Sequence, residues 1–278
     1  KGSPPEDLCL RQRGWNAPVL IELADLDAVV APTQWQRSQF PIWMQERIQV
    51  IHEGIDVQTL SALKQQPCLQ RFGVPNDPAC EILTYVSRGF EDYRGFPQAM
   101  QAIASVQHAR PNLHCLLVGS DTVAYGSARP DGLSWKAWAT QKLGLDPART
   151  HWLGVLQEPD YHQVLALSDV HLYLTVPFVL SWSLLESMAA GCAIVASDTS
   201  PVQEVLRDGE EALLAEFHNP DQQAALIGQL LDDPAQRARL SEDAYLRSLD
   251  YSSDQGCKAW RRLLCEDTDQ TAQNACPA

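Results

Sequence analysis

Two arginines six positions apart, Arg88 and Arg94, lie in the glycine-punctuated stretch from Ser87 to Gly95, and one glutamate, Glu186, interrupts an apolar run between Leu184 and Met188. A pair of guanidinium groups suits a diphosphate, because each planar fork takes two phosphate oxygens and keeps its charge. A carboxylate among apolar neighbours is costly unless it finds partners, so Glu186 needs its own explanation. One account makes Ser183 to Glu186 a capping box, in which serine and glutamate satisfy each other's backbone donors at a helix start. The other has Glu186 face a ligand's hydroxyls, from a helix whose free N–H groups and positive dipole end hold that ligand's phosphates. The arginines also have an ordinary reading as surface residues paired with Glu91 or Asp92. Their joint placement upstream of the Glu186 helix favours the phosphate clamp.

The elements that must position these residues follow from the apolar pattern. Ile82 to Ser87 is a nearly unbroken apolar run, the mark of a strand buried on both faces of a parallel sheet. The arginine loop leaves the carboxyl end of this strand and opens a helix over 96–108. Open α/β sheets bind ligands outside such ends. Phe178 to Asp198 reads as a loop, a short helix stopping at Gly191, and a return strand. Strands near 82–87, 114–119, 150–154, 170–174, 193–197 and 212–215 alternate with helices. That alternation predicts an α/β fold, a Rossmann-like, mainly parallel sheet with helices on both faces and right-handed crossovers. Helices over 221–232, 234–249 and 253–265 follow, and the polar end at 266–278 reads as a disordered tail. Ahead of the sheet, a Pro-rich start precedes a helix over 17–26, a short strand over 28–31 and a helix over 34–40. The connection from Ser120 to Leu133 is long for its kind. It is either a plain surface loop or a flap over the ligand, with Tyr125 and Arg129 as contacts.

Four segments together resemble a known family: Val50 to Asp56; Tyr85 to Arg88 with Tyr93 to Gly95; Arg149 to Gly154 with the following helix and Ser168-Asp169; and Phe178 to Ser197. Over Pro18 to Leu264 the chain resembles the carboxyl-terminal half of retaining nucleotide-sugar glycosyltransferases of the GT-B fold, the family-four or group 1 type. The resemblance makes 1–56 the end of an incomplete amino-terminal acceptor domain with its linker, and 57–265 the nucleotide-sugar donor domain. It implies that Arg88 and Arg94 bind the donor diphosphate, Arg94 standing where the family usually has lysine, together with backbone at Leu180, Ser181 and Trp182. Glu186 would take the ribose hydroxyls, and backbone at Val155 and Leu156 the edge of the base. The likeness breaks at Phe178, where the family carries a sugar-contacting glutamate, and at Val179 and Ser181, where it carries glycines. The implied activity is transfer of a sugar, with retention, from a UDP- or GDP-type donor to an unknown acceptor. Some catalytic groups, and any peripheral membrane contact, would come from the missing half.

Breaking a glycosyl-phosphate bond builds negative charge on the departing diphosphate, which fixed cations and oriented amides can stabilise in place of a metal. The two Asp-x-Asp matches, Asp25 with Asp27 in an expected helix and Asp267 with Asp269 in the polar tail, read as solvated, so no metal and no other cofactor is expected. No dinucleotide fingerprint, P-loop, nucleophile elbow or H-E-x-x-H is present. His52 reads as a turn residue, and His114, His151 and His162 read as core or surface groups. With 21 basic against 35 acidic residues the formal charge is −14, which opposes nucleic-acid binding. Eight scattered cysteines without C-x-x-C fit a reduced, cytoplasmic setting, and no apolar run is long enough to span a bilayer. Two alternatives stay open: a non-catalytic nucleotide-binding or scaffolding module of the same architecture, and a sugar-nucleotide epimerase.

Overall fold

A computed structural model of the protein describes residues 6–63 and 68–274. The chain divides into two compact units, residues 1–52 with 258–278, and residues 53–257.

In the first unit, helix α1 (Glu6–Asp25) is followed by β1 (Val29–Ala31), α2 (Gln34–Ser38), α3 (Ile42–Gln45) and β2 (Ile48–Val50). The two strands pair in parallel, Val29 opposite Ile48, and their buried residues gather Leu23 and Phe40 around them. Helix α1 begins well before the expected Ala17 and runs through Pro18, and none of its residues is buried. Without a buried face it has no apolar stripe to reveal it, and a proline more often marks a helix start than an interior. Asp25 is its last residue and Asp27 lies beyond it, so this acidic pair spans a helix end rather than sitting within a helix. Strand β2 occupies the stretch just ahead of the expected linker. At the other end of the chain, α12 (Ser253–Asn274) continues as helix past 265, where a disordered tail was expected. Its sequence holds no proline before 277 and several good helix formers. Residues 275–278 fall outside those described.

The second unit holds the sheet. After α4 (Val57–Ala62) come β3 (Glu81–Gly89), α5 (Phe96–Ala109), β4 (Leu113–Ser120), α6 (Trp135–Lys142), β5 (Thr150–Gly154), α7 (Glu158–Ala166) and β6 (Val170–Tyr173). Then follow α8 (Trp182–Ala189), β7 (Ala193–Ser197), α9 (Ser200–Gln203), β8 (Leu213–Ala215), α10 (Pro220–Asp232) and α11 (Pro234–Ser248). The six strands lie in the order β5-β4-β3-β6-β7-β8, and every pairing is parallel. Alternate side chains feed opposite cores, as the period of two requires. Leu83, Tyr85, Cys115, Leu117, Leu172 and Val195 pack with Phe96, Met100 and Ile227. Ile82, Leu116 and Val118 pack with Val164, and Ile194 and Ala196 pack with Leu184, Met188 and Val202. The strand order reverses between β3 and β6, the position at which open α/β sheets present a crevice at their carboxyl ends.

The unit's two ends are tied together. The Ile55 N–H donates to the Tyr251 carbonyl at 2.9 Å, and the Ser253 N–H to the Ile55 carbonyl at 2.8 Å. Gly54 makes this possible, with φ of +90° and a Cβ position only 2.5 Å from Ser253 Cα, so a side chain there meets both strain and backbone.

Candidate functional site

The carboxyl ends of β3 and β4, the turn after β5 and the first turns of α8 line an open cavity of about 830 Å3. Of the residues singled out in the sequence, Arg88, Val155, Leu156, Ser181, Trp182 and Glu186 line it, as does Tyr125. Arg94, Leu180 and Arg129 are not among its walls.

Glu186 reaches the cavity from the second turn of α8. The helix is capped by Ser181, whose hydroxyl accepts from the Ser183 N–H. Ser183 therefore lies inside the helix, and the capping box between Ser183 and Glu186 does not form. Glu186 has another partner: the Tyr161 hydroxyl, on α7, donates to its Oε2 at 2.6 Å. Burial pushes the Glu186 carboxyl above the ordinary 4.5, and the Tyr161 hydrogen bond works against that rise. Burial, reinforced by Glu186, holds the Tyr161 hydroxyl well above its own ordinary value, so Tyr161 remains a donor. The rest of the first turn is already engaged in part. The Ser181 N–H donates to the Tyr173 hydroxyl at 3.0 Å. Trp182 is half exposed, with its indole N–H donating to Glu53 Oε1 at 2.8 Å.

Neither arginine uses the ordinary partners. Arg88, at the end of β3, donates from Nη1 to the Tyr125 hydroxyl at 3.2 Å. Glu91 is fully buried, and its Oε2 accepts from the successive N–H groups of Ala124, Tyr125 and Gly126 at 2.8, 2.6 and 2.9 Å. Arg94 spans the switch point between β3 and β6. Its Nη1 donates to Thr175 Oγ1 at 3.0 Å and its Nη2 to the Val179 carbonyl at 2.9 Å, which fixes the loop that leads into α8. Its own carbonyl accepts from the Tyr85 hydroxyl at 2.8 Å.

Phe178, standing where the resembling family has glutamate, lies in an aromatic cluster. Its ring stacks on Tyr93 with centroids 5.5 Å apart and meets Tyr125 at 5.2 Å, and the Arg94 guanidinium sits 5.2 Å from its centroid. Leu180 turns toward the core beneath α8. Arg129 pairs with Asp131 at 2.6 Å and packs over Trp135 and Trp138, so of the two flap candidates only Tyr125 reaches the cavity.

Sequence reasoning missed three groups. Tyr161 and Glu91 act on site residues 25 and more positions away and Tyr173 on Ser181 eight positions away, and only Glu91, an acid within the arginine loop, left a local signal. A fourth feature is the hydrogen bond between His114 and His151 across β4 and β5, at 3.0 Å between Nδ1 and Nε2. It makes a pair of two histidines read separately as bland.

Comparison with known proteins agrees with this architecture. Residues 70–247 match the model of the family described as glycosyl transferases group 1, and residues 2–60 match the glycosyl transferase family 4 group. A D-inositol 3-phosphate glycosyltransferase of Nocardioides sp. is 26% identical over 266 residues, 89% of this chain and 56% of that protein. Its counterpart in Nocardiopsis dassonvillei is 28% identical over 206 residues, 70% of this chain and 44% of that one. The chain thus spans about half the length of these curated relatives. Among solved structures, Anabaena HepE in complex with UDP-glucose superposes with a TM-score of 0.73 at 21% identity, covering 91% of this chain and 68% of that one. A glycosyltransferase from Rickettsia africae superposes with a TM-score of 0.71 at 15% identity, covering 95% and 69%. These likenesses give the fold, a parallel sheet flanked by helices as in GT-B glycosyltransferases, and the family match over the greater part of the sheet unit places this chain among the group 1 glycosyltransferases.

Proposed function

We propose that this chain supplies the donor-binding half of a retaining glycosyltransferase, which moves a sugar from a nucleotide diphosphate to an acceptor held by the opposite domain. The observation that carries the reading is the convergence of Arg88, the start of α8 and the Tyr161-held Glu186 carboxylate on one cavity at the strand ends. In that arrangement Glu186 accepts hydrogen bonds from the ribose hydroxyls, and the turn at Val155 and Leu156 borders the base. Arg88 and the α8 N-terminus take the diphosphate. Charge that develops on the leaving diphosphate meets a preorganised cation and helix terminus, which stabilise the transition state more than the ground state. Arg94 orients the loop between β6 and α8 and adds its charge nearby. The donor is a UDP- or GDP-type sugar, in keeping with the UDP-glucose bound by HepE, and no metal is required for this charge balance. Among the described residues, no helix is long and apolar enough to cross a membrane.

Calorimetric titration of the chain with UDP, GDP and ADP tests the reading, after a cooperative melt has shown that the chain is folded. Saturable binding of one of them, weakened by Glu186→Ala, is expected. A folded chain that binds none of the three ends the proposal.

The aromatic cluster around Phe178 favours a second reading. A hydrophobic ring packed between Tyr93 and Tyr125 offers a sugar no hydroxyl partner, as in a non-catalytic module that keeps the nucleotide and has lost the transfer. Donor consumption by the complete protein separates the two. An epimerase is separated by its products, since it alters the donor and needs no acceptor.

A further inference from the structure

We infer that Glu91 is a positioning residue of the cavity, an internal anion that sets the loop over 120–134 in place and, through Tyr125, fixes Arg88; this rests on the donor-site reading above. Three successive backbone N–H groups directed at one point form a concavity that binds anions. Here the amides of Ala124, Tyr125 and Gly126 form it, and Glu91 Oε2 fills it at 2.6–2.9 Å. The loop's amides are therefore already taken, and a bound diphosphate must rely on Arg88, α8 and the nearby charge of Arg94.

The loop lies flat on the end of β3 because glycines leave room for it. A Cβ at Gly89 would run into the Thr122 backbone carbonyl and one at Gly119 into that of Ser87, whereas one at Gly126 would meet the end of the Asp92 side chain. Held this way, Tyr125 presents its ring to Phe178 and its hydroxyl to Arg88 Nη1. The carboxylate has no solvent to fall back on, being fully buried, with Oε1 lacking any hydrogen-bond partner. A buried carboxylate with one oxygen saturated and the other unpaired is costly for the fold alone, which points to a role in the site.

Hydrogen exchange and UDP calorimetry on the same chain test this. In the wild type without nucleotide, amides 124–126 exchange slowly. Glu91→Gln, which keeps the shape but weakens the acceptor, speeds their exchange roughly tenfold and weakens UDP roughly tenfold. Tyr125→Phe weakens UDP while leaving that exchange slow. The double variant binds UDP no worse than the weaker single one, a non-additivity that general loosening of the fold does not produce. Unchanged exchange in Glu91→Gln overturns the latch, and fast exchange with unchanged UDP affinity, or fully additive losses, overturns the positioning role. Should Glu91→Gln fail to fold, Gly89→Ala, whose Cβ would run into the Thr122 backbone carbonyl, displaces the loop from the other side, and the same readings of exchange and affinity decide. UDP stands in these measurements for whichever of UDP, GDP and ADP the wild type binds; binding of none of the three removes the donor-site reading and the positioning role with it, whereas the exchange data still report on the loop's hold on Glu91.

Discussion

Tyr161 on α7 and Glu186 on α8 are joined by a hydrogen bond of 2.6 Å from the phenol to the carboxylate. The phenol donates to one oxygen and leaves the carboxylate facing the cavity. Removing the hydroxyl with Tyr161→Phe deprives a half-buried carboxylate of its partner, at a cost of about 1.5–3 kcal/mol for a hydrogen bond to a charged group. The variant is expected to melt lower and to bind UDP more weakly, because Glu186 then meets the ribose from an unfixed rotamer. Calorimetry showing full UDP affinity in Tyr161→Phe would separate Glu186 from the ligand.

The same carboxyl makes stability and affinity respond to pH in opposite senses. Burial raises Glu186 above 4.5, so in the window just above that value the folded chain holds a proton that the unfolded chain releases. Its stability contribution is present below 4.5 and is lost as the pH rises through the raised value. In the proposed ribose role the hydroxyls donate to the ionised form, so UDP affinity is expected to grow over the same interval. Glu186→Gln is expected to flatten both trends, and it serves as the baseline for the titration of UDP itself. A variant with the wild-type pH dependence would rule Glu186 out as the group responsible.

His171 on β6 carries a second pH effect, remote from the cavity. Its Nδ1 pairs with Thr84 Oγ1 at 2.8 Å, and complete burial pushes it down to about 3 from 6.5. A depressed histidine contributes stability that is intact above the unfolded value and declines as the pH falls through it toward the folded one. The interval from 6.5 to about 3 corresponds to about 4–5 kcal/mol at its limit. Urea unfolding of the wild type and His171→Asn at several pH values reads it out. The stability difference between them is expected to shrink steadily from pH 6.5 to 4, and a constant difference would clear His171 of any part in acid unfolding.

The sheet was legible because its strands are buried on both faces and read as unbroken apolar runs. Thus 150–154 and 193–197 coincide with β5 and β7, and the others differ at their ends by one or two residues. The first unit was less legible, since α1 buries nothing and β2 is three residues long. At the cavity, the positions of Arg88 and Glu186 followed from strand-end loops and a helix start, which are local patterns. What ties them down did not follow. Tyr161 and Glu186 are 25 positions apart, and Glu91 and the 124–126 amides 33 to 35, distances over which no periodicity links two residues. The capping-box account of Ser183 fails for a different reason. Ser181 and Ser183 are equally good caps by residue type, and what marks Ser181 out in the fold is the Tyr173 hydroxyl that accepts from its N–H, which residue type does not reveal.

Arg94 is where loop-holding and charge can be told apart. Its two terminal nitrogens bond to Thr175 and to the Val179 carbonyl, and Thr175 is fully buried. Arg94→Ala removes both bonds and the cation, so the melt should drop by the equivalent of about 1–3 kcal/mol, and the complete enzyme should slow by roughly 10²–10³. Arg94→Lys retains a positive charge but offers no planar fork, so it can reach one of the two acceptors and not both. It is expected to keep much of the lost stability unrecovered while restoring most of the rate, because a point charge suffices for a developing diphosphate. Equal recovery of rate and melting temperature would show that the loop's geometry, rather than the cation, governs turnover. If Arg94→Ala loses stability alone and turns over as the wild type does, Arg94 belongs to the fold and Arg88 is left as the cation that faces the donor.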